Sequence, residues 1–342
     1  MSSRWDRQSC SIVVEVGQAH EGSENLAHAF IEEAAKSGAD AIKFQLHFAE
    51  DESSSLEDFR SRGRYGRETR FEYWERHEFS REVVEDLIEH SRELGLLVGF
   101  STFSLRGLDE LSELEFDFLK VGSAEAVQKW FLRRARESEL PVVLSTGMSK
   151  IEEIEDAIEI LGKGDKDLIL LQCASSYPSA LEQIGLNLIP DFAERFGIPV
   201  GLSDHSGKLV SPLAAIARGA AMVEVHGTFS KLSQGPDATS SLDFAEISFL
   251  CDFRDQLRVI DSNPVDKDTL SSNFEDMRTT FGRSLATKVE IEPGQTIRTE
   301  ELYFAKPGGG IPPEFFESAV TLSPKNRIPA GSILQFQDFE GF

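Results

Sequence analysis

The sequence predicts an α/β protein: a (β/α)8 TIM barrel followed by a small β-rich domain. Three observations carry that reading. Eight short apolar runs recur along the chain, mostly separated by amphipathic segments. The last residues of those runs are polar and chemically loaded, as the strand ends at a barrel mouth are. After about residue 265 the texture changes to short runs punctuated by Gly and Pro. Strands alternating with helical patterns argue for a parallel sheet with crossover helices. Near-continuous apolar strands fit a sheet buried on both faces. No GxGxxG follows the first run, so a dinucleotide fold has little support. The 342 residues suit a barrel of roughly 250 residues plus a module.

The elements follow in order. Ile12–Val16 carries Glu15 and leads to Gly17 and His20, and Asn25–Ser37 reads as an amphipathic helix. Ala41–Gln45 carries Lys43 and Gln45. A long excursion, 46–80, holds a charged stretch (Glu50–Arg70) and the aromatic Phe71-Glu72-Tyr73-Trp74. Such an excursion reads as an active-site lid, an oligomer contact or, for its charged part, a solvated loop. Arg81–Leu94 is helical, and Leu97–Ser101 ends in Ser101-Thr102. Phe118–Gly122 gives Lys120, then Ser123 and Glu125. Val142–Ser145 ends in Ser145-Thr146-Gly147, before the helical Ile151–Leu161. Leu168–Cys173 leads to Ser175, Ser176 and Tyr177. Val200–Ser203 brings Ser203, Asp204 and His205, and after the helical Pro212–Arg218 the run Met222–His226 ends in His226. The barrel is expected over 1–265, a linker or short helix over 266–283, and the β-rich domain over 284–342. Turn signals there include Glu292-Pro293-Gly294 and Pro307-Gly308-Gly309-Gly310-Ile311-Pro312-Pro313.

The formal net charge of −24 argues against a nucleic-acid or anionic-membrane partner, which would want a basic face. The three cysteines, Cys10, Cys173 and Cys251, are widely spaced and form no CxxC. They are neither a disulfide framework nor a zinc finger and suit a reducing compartment. The stretch Met1–Cys10 has no apolar leader pattern, and no run approaches the roughly 18 apolar residues of a membrane span. The expected location is the cytoplasm.

Lysine inside an apolar strand is costly unless it meets an anion. Lys43 and Lys120 each interrupt such a strand. One lysine of this kind often serves an internal salt bridge. Two in a serine-rich mouth favour holding a phosphate or carboxylate, aided by Ser101, Ser123, Ser145 and Ser203. Glu15 and Glu125 are open to roles as general base or as acceptors for sugar hydroxyls. His205 and His226, on consecutive strand ends, are candidate ligands of a divalent metal, with a proton shuttle or satisfied core histidines as alternatives. With imidazole and oxygen ligands, Mn²⁺ is reasonable, and Mg²⁺ or Co²⁺ stay open.

Six segments in order resemble the sialic acid synthase family: Glu-Val-Gly-Gln-Ala-His-Glu-Gly (15–22), Gly-Ala-Asp-Ala-Ile-Lys-Phe-Gln (38–45), Lys-Val-Gly-Ser-Ala-Glu (120–125), Leu-Ser-Thr-Gly-Met-Ser (144–149), Gly-Leu-Ser-Asp-His-Ser (201–206) and Gln-Gly-Pro-Asp (234–237). The C-terminal part resembles that family's antifreeze-like (SAF) domain, with Lys-Pro-Gly-Gly-Gly-Ile-Pro at 306–312. The resemblance implies a transferase that condenses phosphoenolpyruvate with an open-chain N-acylated hexosamine. The products are a nine-carbon 2-keto (nonulosonic) acid for cell-surface polysaccharide and inorganic phosphate. It implies phosphoenolpyruvate contacts from Lys43, Thr102, Lys120, Ser123, Ser145, Ser175 and Ser203. It implies Mn²⁺ on His205 and His226, catalytic roles around Glu15 and Asp237, and sugar contacts from Gln45, Glu125, Tyr177 and Lys306. It also implies a homodimer in which one subunit's SAF domain caps its partner's barrel.

Some positions depart from the family pattern. Lys306 stands where arginine is usual, and lysine lacks the planar bidentate fork. Ala19 stands in place of asparagine, Gly227 in place of a larger residue, and Ala238 follows Gly-Pro-Asp. These suggest a variant sugar of legionaminic or pseudaminic type and a reshaped pocket. Two other functions remain in view: a Schiff-base aldolase using Lys43 or Lys120, and a non-catalytic sugar-binding protein of synthase descent.

Overall fold

Eight parallel strands form in sequence order: β1 (Ser11–Glu15), β2 (Ala41–Leu46), β3 (Leu97–Thr102), β4 (Phe118–Val121), β5 (Val142–Ser145), β6 (Leu168–Cys173), β7 (Val200–Asp204) and β8 (Met222–Thr228). Each pairs with the next, and β1 also pairs with β8, so the sheet closes into a barrel. A short β9 (Leu242–Asp243) extends β8 past His226 by pairing Gly227 with Leu242. The computed structural model describes residues 10–54, 56–57, 68–162, 167–233 and 235–340. The polar N-terminal stretch before Cys10, part of the charged excursion (55 and 58–67) and Gln234 lie outside them.

The crossover helices are α1 (Glu24–Lys36), α2 (Ala49–Glu52), α3 (Arg70–His77), α4 (Arg81–Glu93), α5 (Leu105–Ser112), α6 (Lys129–Arg136), α7 (Ile151–Leu161), α8 (Leu188–Phe196), α9 (Val210–Ala217) and α10 (Phe244–Asp261). Their starts are chemically marked. The Ser23 hydroxyl accepts the Leu26 N–H at α1, and Thr69–Glu72 and Asp243–Glu246 form capping boxes at α3 and α10. Asp40, just before β2, accepts the Ile12 N–H at 2.7 Å and pairs with Arg254 of α10, which ties the last barrel helix to the first two strands. Among the described residues no helix is long and apolar enough to cross a membrane.

Two layers matter for the site. The outward strand faces (Ile12, Val14, Ile42, Phe44, Val98, Phe100) pack against the helices in one large core. The inward faces start with a second apolar cluster: Val13, Ala41, Phe118, Val143, Leu171 and Met222 among them. At Gly99 a Cβ would lie 2.1 Å from the Phe118 ring, so glycine leaves room for phenylalanine to plug the barrel. Side chains alternate across a strand with period two. The next inward position on these strands therefore reads Glu15, Lys43, Lys120, Ser145, Cys173 and Glu224. All six are buried. A polar, charged layer thus sits directly on an apolar floor, and Gln45 and His226 stand one step further up their strands.

The chain divides into two units at 262/263. The second has its own core of Leu285, Ile291, Ile297, Leu302, Leu334 and Phe339 among others. It carries an antiparallel pair, β10 (Ser284–Thr287) with β11 (Leu302–Ala305), and a short α13 (Phe316–Ala319). The stretch expected as a linker or short helix forms two short helices, α11 (Lys267–Ser272) and α12 (Glu275–Phe281), grouped with this unit. The Asp266 carboxylate caps the first by accepting the Thr269 N–H at 2.8 Å.

Candidate active site

The charged layer resolves into two ion pairs. Lys43 Nζ lies 2.6 Å from Glu15 Oε2 and 3.4 Å from Ser101 Oγ. Glu15 Oε1 also accepts from Gln45 Nε2 at 2.6 Å. The second pair reaches across the barrel from β4 to β8. Lys120 Nζ donates to Ser145 Oγ at 2.8 Å and lies 3.4 Å from Glu224 Oε1, which accepts from Ser203 Oγ at 3.0 Å. Burial opposes the charge on Glu224, but Lys120 and Lys43, then His226 and His205, outweigh it and hold the carboxyl well below its usual range. Its Oε2 is buried without a hydrogen-bond partner among the described residues. Both lysines therefore meet a carboxylate of the chain itself. Glu224 was not singled out from sequence, yet it stands two residues before His226, and strand alternation puts both on the inward face.

The residues implied to bind phosphoenolpyruvate gather unevenly. A Cβ at Gly147 would lie 2.0 Å from Ser175 Oγ and 2.8 Å from Ser123 Oγ, so its glycine keeps open a cradle that these hydroxyls line. Ser145 and Ser203 join through the Lys120–Glu224 pair. Thr102 departs from expectation. Its side chain turns outward to α5, and Oγ1 fills the space that a Cβ on Gly107 would occupy. It follows the inward Ser101 by one residue, and a one-residue step changes the face.

His205 and His226 lie side by side, ring centroids 5.3 Å apart, with the Tyr177 ring 4.2 Å and 6.1 Å from them respectively. Burial, then the neighbouring His226, keeps His205 from protonating in the usual range, as a metal-ligating imidazole requires. Its Nδ1 faces Cys173 Sγ at 3.7 Å. Asp237 Oδ2 is 4.0 Å from His226 Nδ1. Among the described residues no three His, Cys, Asp or Glu side chains cluster closely enough to hold an ion by themselves. The donor set fits a divalent metal only as a half-shell: two imidazoles, with the other positions falling to water and substrate oxygens.

Glu125 is buried beside the mouth, and burial raises its carboxyl to about 7. A cavity of about 410 Å³ opens by Asp237 and is lined also by Gln18, Ala19, Phe229, Pro236 and Ala238. Two of the departures from the family pattern, Ala19 and Ala238, thus shape one space. Lys306 belongs to the second unit, where its ammonium lies 5.5 Å from the Phe281 ring centroid.

Comparisons with known proteins agree with this architecture. The model of the NeuB family matches residues 30–263, and that of the SAF domain matches 282–340. The N,N'-diacetyllegionaminic acid synthase of Legionella pneumophila is 30% identical over 346 residues, covering 98% of this chain and 96% of that protein. The pseudaminic acid synthase of Campylobacter jejuni is 30% identical over 334 residues, covering 96% of each. Among solved structures, the N-acetylneuraminic acid (sialic acid) synthetase of Leptospira borgpetersenii, in complex with citrate, superposes with a TM-score of 0.69 at 30% identity. That match covers 79% of this chain and 92% of the other.

Proposed function

The chain belongs to the NeuB family, and we propose that it is a metal-dependent synthase joining phosphoenolpyruvate to an open-chain N-acylated hexosamine. The products would be a nine-carbon 2-keto acid and inorganic phosphate. One observation carries the reading: two buried lysines and a ring of hydroxyls share a barrel mouth with a pair of adjacent imidazoles. The first set suits an anionic substrate, the second a carbonyl.

Each ammonium offers three donors, so a phosphate or carboxylate adds to the ion pair rather than replacing it. Lys120, Ser145, Ser123, Ser175 and Ser203 hold the phosphoenolpyruvate anion in charge-assisted hydrogen bonds. His205 and His226 would hold the divalent metal, Mn²⁺ by preference, whose chemistry when bound is to polarise the sugar aldehyde. The enol carbon C3 attacks the aldehyde carbon, and positive character develops at C2. Water adds to C2, and the tetrahedral intermediate expels phosphate by cleavage of the C2–O bond. Glu15 takes the water proton, and its position between Gln45 and Lys43 keeps it aimed. Holding both substrates in register supplies much of the rate.

Glu125, Tyr177 and Asp237 are proposed to meet the sugar, and the cavity lined by Ala19 and Ala238 supports a variant with substituents that larger residues would exclude. Lys306 is proposed to meet the N-acyl group, with the SAF unit capping the barrel of a second copy. The test is phosphate release from phosphoenolpyruvate with Mn²⁺ against a panel of N-acyl hexosamines, including 2,4-diacetamido-6-deoxy sugars. Release that requires one of these sugars supports the reading, and none with any of them contradicts it.

A further inference from the structure

The excursion after β2 returns to the mouth through two residues that the mechanism above does not use. His47 is buried, with its ring stacked on Trp74 of α3 (4.2 Å between centroids) and on Phe103 after β3 (4.9 Å). Its Nε2 lies 3.0 Å from Gln45 Oε1, and its Nδ1 lies 2.8 Å from Glu52 Oε2 at the end of α2. The other Glu52 oxygen accepts the Phe48 N–H at 2.9 Å.

The donors and acceptors fix the direction of the links from His47 to Glu15. Glu15, paired with Lys43, accepts from Gln45 Nε2, so Gln45 presents Oε1 to His47. An amide oxygen only accepts, so His47 donates from Nε2–H. A neutral ring then accepts at Nδ1, and its partner Glu52 must donate from a protonated carboxyl. Burial, the leading cause at both residues, pushes His47 down to about 3 and Glu52 up to about 8, which fits this assignment.

We propose that His47 and Glu52 are positioning residues for Glu15, acting through Gln45. The chain Glu52 → His47 → Gln45 → Glu15 is a one-directional hydrogen-bond wire that fixes the carboxylate in the barrel mouth. The role for Glu15 rests on the proposed condensation, whereas the wire itself does not. The wire also accounts for the excursion. Its helix α2 delivers the carboxyl that faces His47 Nδ1, and α3 supplies one wall of the imidazole slot.

Two experiments decide it. In the full-length chain at pH 7, ¹⁵N spectra of the histidine rings, with His47 assigned by comparison with His47→Phe, should show Nε2 protonated and Nδ1 bare. A doubly protonated ring, or an Nδ1–H tautomer, overturns the wire. In turnover assays Glu52→Gln should stay within about twofold of wild-type kcat, because its amide can donate to Nδ1 and accept from Phe48 N–H. Glu52→Leu and His47→Phe should lower kcat by about tenfold or more with the KM for phosphoenolpyruvate unchanged. Equal losses in the Gln and Leu variants contradict the proposal, as does a raised KM with kcat intact. A wild-type chain that turns over no sugar sinks the condensation reading, while the ring spectra still decide the wire.

Discussion

The two buried ion pairs of the mouth are built differently. Lys43–Glu15 joins neighbouring strands at 2.6 Å, and the carboxylate is held from its other oxygen by Gln45 and the groups behind it. Lys120–Glu224 spans the barrel at 3.4 Å, with Ser145 Oγ on the lysine and Ser203 Oγ on the carboxylate. On the proposed reading the first pair is the tool and the second the cradle. A buried ion pair contributes little net stability by itself, because desolvation offsets attraction. That two such pairs share one mouth points to chemistry. Their different bracing points to different roles, Glu15 to act and Lys120 to hold.

The largest expected effect breaks the first pair. Glu15→Gln should lower kcat by about 10²–10⁴-fold with little change in the KM for phosphoenolpyruvate, measured by phosphate release. An equal loss expressed as KM would merge the two roles. Next, Lys120→Ala strands the Glu224 carboxylate. It should raise the KM for phosphoenolpyruvate by at least tenfold, or about 1.4 kcal/mol, and lower stability in urea by about 3–5 kcal/mol. The double variant Lys120→Met/Glu224→Leu should recover the stability but not the binding. A smaller effect is expected at Lys306, where Lys306→Ala should raise the KM for the sugar and leave that for phosphoenolpyruvate unchanged.

The smallest effect is a pH slope. Glu52 titrates near 8 in the fold against an ordinary value of 4.5, chiefly through burial. Around it stand Asp51 and Glu57, while Arg70, Glu15 and Lys43 act on its partner His47, and Glu125 is near enough to couple with it. Because the fold raises this pKa, the protonated carboxyl's contribution is complete below about 4.5 and lost as pH rises through about 8. Wild type should therefore lose thermal stability relative to Glu52→Gln between pH 5 and about 9, and parallel melting curves would argue that Glu52 is already charged.

Much of this was legible in the sequence, for reasons that also explain the omissions. Strand parity places Lys43, Lys120, Ser145 and His226 on the inner face, and the same parity points to Glu224 and excludes Thr102. Gln45 is legible as a motif residue, but its partner His47 lies only two positions on, where the strand gives way to the excursion and period-two reasoning stops. Glu52 carries no sequence signal of its protonated state, because burial and the His47 contact arise only from the fold. The 266–283 stretch is polar enough to read as a linker or short helix, and local caps such as Asp266 decide for helix.

The most direct measurement follows the bridging oxygen of phosphoenolpyruvate. With that oxygen labelled as ¹⁸O and an accepted amino sugar present, the account predicts that the released phosphate carries the label, since the C2–O bond breaks. Label left in the keto acid, or a borohydride-trapped adduct on Lys43 or Lys120 with no phosphate released, would contradict it.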